Sequence, residues 1–226
     1  MENYSESILQ IINHVMLRHP SLMDEIGKIY FTNSNSSGME YKLWEARNFS
    51  APSPNFIKQK CLYRNGIPNG IWIETGTYLG ATTEYLSKFA LEVYSIEPEP
   101  TLFKNAELKL KEVKNIKLIH GASEEIFPVL LSKIHGNVNF WLDGHYSEGV
   151  TYKGIVDTPI VEELKYIEIH MSQFNKICVM IDDVRCFNPG DEPDSAYPKL
   201  HYLVDWARTN NLKWHIEHDI FIAKKD

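Results

Sequence analysis

The chain has few cysteines, no surplus of basic charge and no long apolar run, and each shortage removes a class of protein. Only three of its 226 residues are cysteine. Cys61, Cys178 and Cys186 form no C-x-x-C pair and cannot all be bridged to one another, so a disulfide scaffold is excluded and a reducing, cytoplasmic setting is expected. Lys and Arg number 23 against 30 Asp and Glu, a formal net charge of −7, which leaves no general basic face for nucleic acid. A single local basic pocket remains compatible with that charge. No apolar stretch is long enough to span a bilayer, so no membrane role is expected. The segment Met1-Glu2-Asn3-Tyr4-Ser5-Glu6 is acidic rather than basic ahead of its first apolar residues, so no secretory leader is expected. No repeat or low-complexity tract appears. What remains is a globular composition, 43% hydrophobic and 23% charged, with length for one α/β domain and an N-terminal extension.

Gly70 to Thr83 organises the rest. Ile71 to Ile73 are apolar and β-favouring, as a strand buried on both faces of a parallel sheet must be, and Glu74 stands at the strand's end. Gly76 and Gly80 permit a tight turn and close backbone approach to a ligand, and Thr82 to Lys88 read as the opening of a helix with free N–H groups. In an open α/β sheet, a nucleotide-like ligand binds beyond such strand ends. The spacing is not G-x-G-x-x-G. Tyr78 occupies the place of the second close glycine, so a dinucleotide fits poorly and a nicotinamide dehydrogenase is disfavoured.

The flanking chain follows from its periodicity. Ser7–Arg18 and the stretch from Met23 to Tyr30 read as helices, ended by the loop Asn33 to Gly38. Residues 1–65 thus form an N-terminal helical segment, which either packs on the core or covers a site, ahead of a domain at 66–226. Leu91 to Ile96 form a second strand ending at Glu97, and an acid at that tip is placed to accept from both hydroxyls of a ribose, with Glu99 as an alternative. Thr101 is expected to cap a helix running to Val113, and Ile116 to Ile119 form a third strand. Ser123 reads as an N-cap. Val138 to Leu142 are a fourth strand ending at Asp143. Thr158 and Pro159 read as N-cap and first residue of the next helix. Ile177 to Ile181 are a fifth strand ending at Asp182-Asp183, residues 195–208 a helix, and Leu212 to Ala223 a hairpin turning at His218-Asp219.

Glu-x-Gly-Thr-Tyr-x-Gly (Glu74 to Gly80) resembles the first motif of class I S-adenosylmethionine (SAM) methyltransferases, particularly the catechol and caffeoyl-CoA O-methyltransferase type. Gly121-Ala122-Ser123 followed by Ile-x-Pro-x-Leu resembles that family's adenine-binding segment. The resemblance runs from about Gly70 to the C-terminus. It implies a Rossmann-like sheet, mostly parallel with a C-terminal antiparallel hairpin and helices on both faces. It also implies that Glu74, Gly76, Thr77, Tyr78, Gly80 and Thr82 hold the methionine end of SAM, with Asp143 nearby, while Ala122, Ser123 and Glu124 border adenine.

Asp143, Asp182 and Asp183 end adjacent strands, and carboxylates that close repel one another unless a cation lies between them. Oxygen ligands with room for water suit Mg²⁺, with Mn²⁺ or Ca²⁺ as substitutes. The metal-dependent O-methyltransferases, including the macrocin-type branch that methylates sugars, carry similar acids. Those of the catechol type place a lysine base where Tyr146 stands here. His145 is the substitute base, since histidine titrates near neutrality, and Lys153 is second. Lys153, Tyr152 and Arg185 are also candidates to grip an anionic part of an acceptor. The expected activity is Mg²⁺-assisted transfer of a methyl group from SAM to a hydroxyl of a saccharide or small secondary metabolite. Metal-free methylation of a nitrogen or of a phosphorylated or capsule-type precursor is the alternative, as is a non-catalytic methyltransferase-like subunit. A metal hydrolase would leave the glycine turn and Glu97 without a role. Dimerisation through the N-terminal helices is also considered.

Overall fold

The computed structural model describes residues 36–144, 158–187 and 197–225. The two helices expected before residue 31 lie outside them, as do His145, Tyr152 and Lys153. The chain divides into two compact units, residues 1–58 and 59–226. In the first, helix α1 (Ser36–Ala46) begins inside the stretch read as a loop. Ser36, Ser37 and Gly38 occupy its first turn, where backbone N–H groups need no intrahelical acceptor and small residues cost little. Leu43 and Trp44 are buried. The Trp44 indole N–H donates to the Ser50 carbonyl at 3.0 Å, and Phe49 meets the Trp44 ring edge-on at 5.1 Å. Helix α2 (Asn55–Asn65) starts here and runs into the second unit.

The second unit is a seven-stranded sheet of β1 (Ile71–Thr75), β2 (Glu92–Glu97), β3 (Ile116–His120), β4 (Gly136–Leu142), β5 (Phe174–Ile181), β6 (Lys213–Glu217) and β7 (Ile220–Lys225), in spatial order β3-β2-β1-β4-β5-β7-β6. β1 to β5 are parallel, and β7 runs antiparallel to both β5 and β6. The intervening helices are α3 (Ala81–Ser87), α4 (Pro100–Leu110), α5 (Ser123–Leu130), α6 (Ile160–His170) and α7 (Leu200–Thr209). The hairpin turns where expected, with His218 and Asp219 both at positive φ, the geometry that suits a two-residue turn to the twist of its strands.

Alternation along the strands builds two cores. Ile73, Val138, Phe140, Leu142, Ile177, Val179 and Phe221 face one side with Phe127, Leu164 and Leu203 of α5, α6 and α7. Trp72, Trp141, Cys178, Met180, Ile220 and Ile222 face the other with Leu62 of α2 and Leu86 of α3. Both faces are covered, so these strands read as nearly continuous apolar runs. Cys178 is core, as its neighbours in sequence indicate. Asn139 is the buried polar residue of β4. Fully buried, it accepts from the Ile67 N–H at 2.7 Å and donates to the Ile67 carbonyl at 3.1 Å, closing the backbone that leads into β1.

Helix starts differ from the sequence reading by a residue or two. α4 is capped by Glu99 rather than Thr101, because Pro100 takes the first helical position and needs no N–H acceptor. Ser123 lies inside α5, with Ala122 before it and no side-chain cap. α6 starts at Ile160, one residue late, and Thr158 Oγ1 accepts from the Ile160 N–H at 3.4 Å. Among the described residues no helix is long and apolar enough to cross a membrane. Asn139→Ala leaves the buried Ile67 N–H unpaired, while the Ile67 carbonyl keeps the Gly70 N–H at 3.2 Å, and is expected to cost roughly 1–3 kcal/mol in a urea melt. A loss under about 0.5 kcal/mol would show that the Ile67 groups find other partners.

Candidate active site

The sheet order reverses between β1 and β4, and the strand tips there are in register. Thr75 pairs with Leu142 of β4 and Ile96 of β2, and Leu142 pairs with Ile181 of β5. The residues one step beyond, Gly76, Glu97, Asp143 and Asp182, therefore stand in one row at the carboxyl edge, where an open α/β sheet takes its ligand. Gly76 has φ +85, and a Cβ there would lie 2.6 Å from the Asp143 carbonyl oxygen, so neither its conformation nor its space admits a side chain. Tyr78 holds φ +50, uncommon for a large residue, within the same turn.

A network of buried hydroxyls fixes that turn. Glu74 is fully buried, and its Oε2 accepts from Thr83 Oγ1 and from Ser95 Oγ, each at 2.6 Å. Ser95 Oγ also lies 2.6 Å from Thr77 Oγ1. Burial pushes the Glu74 carboxyl up to about 8, against the pull of the Ser95 and Thr83 hydroxyls, and the charges of Asp143 and Glu97 add to the rise. Glu74 Oε1 is buried with no hydrogen-bond partner among the described residues. Glu97 braces the turn from β2: its Oε2 accepts from the Tyr78 N–H at 2.8 Å and its Oε1 from the Glu99 N–H at 3.0 Å. Burial raises its pKa, and the two amides pull it back. Glu99 Oε2 accepts from the Leu102 N–H at 2.6 Å, so its carboxylate is committed to α4.

Of the residues expected to hold a cofactor, Glu74, Gly76, Thr77, Tyr78 and Glu97 come together at this turn. Gly80 precedes α3 at φ +70, and Thr82 lies half-buried in its first turn. Ala122, Ser123 and Glu124 start α5. Sequence reasoning missed Thr83, Ser95 and Glu163. Each carried a signal: a polar residue at an inward position of an otherwise apolar strand or helix face.

The three strand-end aspartates are less uniform. Asp143 is half-exposed, while Asp182 and Asp183 are buried. Asp183 Oδ1 accepts from Arg185 Nη1 at 2.6 Å, and the same guanidinium pairs with Asp219 at the hairpin turn. Arg185, a candidate to grip an anionic acceptor, thus neutralises carboxylates of its own chain. Among the described residues no three His, Cys, Asp or Glu side chains converge as a ligand set. The donor set therefore does not fit a three-aspartate Mg²⁺ site, since Asp183 already has its cation. Asp182 lines a crevice with Gly144, Thr158, Glu163 and Tyr197. Burial pushes the Tyr197 phenol up, helped by Cys186, Asp183 and Asp143.

Because the folded pKa of Glu74 lies above that of an unfolded glutamate, the native state holds the extra proton. This favours folding at low pH and is lost as pH rises through about 8. Glu74→Gln, uncharged at every pH, is expected to raise the melting temperature of the ligand-free protein more at pH 8.5 than at pH 5.5. An equal shift at both values would mean that Glu74 does not carry this proton.

No protein-family model matches the chain, and no curated relative does. Solved structures match its architecture. A Staphylococcus aureus protein assigned as a caffeoyl-CoA O-methyltransferase is 16% identical with a TM-score of 0.55, over 93% of this chain and 100% of that one. An O-methyltransferase from Bacillus cereus, in complex with S-adenosylhomocysteine (SAH), is 12% identical with a TM-score of 0.53, over 89% and 94%. A Clostridium thermocellum protein assigned as an rRNA methylase is 10% identical with a TM-score of 0.50, over 75% and 94%. At these identities the shared property is architecture: the chain has the Rossmann-like fold of the SAM-dependent methyltransferases.

Proposed function

We propose that the chain is a SAM-dependent O-methyltransferase acting on a hydroxyl group of a saccharide or small secondary metabolite. The observation that carries the cofactor is the pair of carboxyl groups around the glycine turn, Glu74 with a buried unpartnered oxygen and Glu97 with both oxygens fixed by backbone amides. SAM presents the complement, a cationic amino-acid end and a ribose diol. When bound it supplies an electrophilic methyl group. Glu97 keeps a second lone pair on each oxygen and accepts from the ribose hydroxyls. Glu74 and Asp143 face the cationic end, and Ala122, Ser123 and Glu124 border the adenine. The Thr77 hydroxyl is engaged by Ser95, so its part is to hold the turn.

Asp182 and Glu163 line the crevice and Asp143 stands next to it, which disfavours an anionic acceptor and suits a neutral one rich in hydroxyls. Two of the three fold relatives above are O-methyltransferases by name. Removal of the acceptor's proton falls to His145, directly after Gly144 in the chain, with Lys153 second. Asp143 and Asp182 are the carboxylates left to a divalent cation, and no step here depends on one.

Calorimetry tests the cofactor first. Wild type is expected to bind SAM, and Glu97→Ala to bind it about tenfold more weakly or worse. A chelator is expected to leave that affinity unchanged, and Asp143→Ala to remove any Mg²⁺ binding that is detected. Label transfer from methyl-labelled SAM to neutral saccharides, against phosphorylated ones, then sorts the acceptor. No SAM binding at millimolar concentration would end this reading.

A further inference from the structure

The sheet ends on an open strand. β6 is last in the spatial order, and among the described residues only β7 pairs with it. Lys213-Trp214-His215-Ile216-Glu217 keep an unbroken register with β7. Glu217 and Ile220 flank the two-residue turn, so they exchange ladder hydrogen bonds, as does every second pair beyond them. Trp214 and Ile216 fall between those pairs, and their main-chain N–H and C=O groups point away from β7 along the free edge. Such an edge attracts another strand unless proline, a bulge or an unmatched charge guards it. β6 has neither proline nor bulge, and its charges are matched by a second copy of itself.

In an antiparallel pair of β6 strands with His215 on the two-fold axis, Lys213 lies opposite Glu217 of the partner subunit and Trp214 opposite Ile216 of the partner subunit. Trp214 and Ile216 pair with Ala223 and Phe221 and so lie on the α7 side of the sheet. There they remain 37% and 42% exposed, although Trp214 stacks on Phe221 with ring centroids 5.8 Å apart. Lys213, His215 and Glu217 lie on the α2 side, where Asn65 donates to Glu217 Oε2 at 3.2 Å and Arg64 pairs with the same carboxylate. Glu217 is thus held in place, whereas Lys213 makes no ion pair among the described residues. Opposite charges on one face and an aromatic ring against a β-branched side chain on the other both favour pairing. The opposite edge of the sheet lacks this match: β3 contains no acid, and its Lys117 is already paired with Glu92 of β2. We infer that the protein forms a symmetric dimer by antiparallel pairing of β6 with β6 of a second copy, with His215 on the axis and one sheet continuous through both subunits. β5 and β7 stand between β6 and the strand tips of β1 and β4, so the pairing does not depend on which cofactor binds there.

Sedimentation equilibrium of the full chain tests the dimer. Wild type is expected to be mostly dimeric at about 100 µM, the weak range that a short strand interface supports. Lys213→Glu sets like charge against Glu217 of the partner subunit. It is expected to raise the dissociation constant by about tenfold or more and to leave the far-ultraviolet circular dichroism unchanged. Cysteine substitution reads the register. In this register His215 forms a non-hydrogen-bonded pair with its own copy, and the Cα atoms of such a pair lie about 4.5 Å apart, within reach of a disulfide. Cys61 and Cys178 are buried, so Cys186→Ser supplies the background. In that background His215→Cys is expected to cross-link two chains under mild oxidation, and Lys213→Cys, far from its own copy, is not. A wild type that stays monomeric at about 100 µM overturns the proposal. So does a dimer that Lys213→Glu leaves as tight as before, or one that His215→Cys fails to cross-link, because its interface then lies elsewhere on the chain.

Discussion

The site depends on a carboxyl group buried where charge is costly. Glu74 ends β1 inside the protein, and the hydroxyls that meet it come from α3 and β2. One side chain thereby ties the strand, the helix after the turn and the neighbouring strand to a common point. Thr77 joins through Ser95, and Glu97 clamps the other side of the loop by accepting from Tyr78 and Glu99. Side-chain hydrogen bonds add to the turn's backbone bonds, in which the Gly76 N–H donates to the Ile96 carbonyl and the Gly80 N–H to that of Thr77. Gly76 makes the required backbone path possible, and the clamp on the Tyr78 amide accompanies that residue's positive φ.

Charge at the sheet's carboxyl edge is handled in three ways. Glu74 rises toward its protonated form, Glu97 is compensated by amides, and Asp183 is neutralised by Arg185, which also reaches Asp219 in the β6–β7 turn. The last pairing locks the end of β5 to the closing hairpin. It gives the Asp182-Asp183 pair a structural use that an acid-rich motif does not reveal, because a guanidinium two residues away satisfies the same electrostatic demand as a metal. The fold relatives carry activities named for different acceptors, as expected when one scaffold serves several chemistries.

The sequence by itself determined the strands, their order of appearance and the turn that makes the site. Short apolar runs ending in Glu74, Glu97, Asp143 and Asp182 are local patterns, and a local pattern needs no knowledge of neighbours. The closing hairpin was legible for the same reason. Helix starts were less so: Glu99 competes with Thr101, and Pro100 decides between them only once the chain direction is known. Only the tertiary structure decided which polar side chains meet. Ser95 and Thr83 stand out in sequence only as polar residues at inward positions, and what they bind is fixed when β2 and α3 bring them to Glu74. Glu163 reads as an ordinary acid in a helix's first turn until packing puts it on the buried face beside Thr75 and Ser123. Asp183 reads as a ligand until Arg185 is placed against it. Pairings across the sheet depend on strand order and register, which are set by the summed burial of both cores rather than by any single motif.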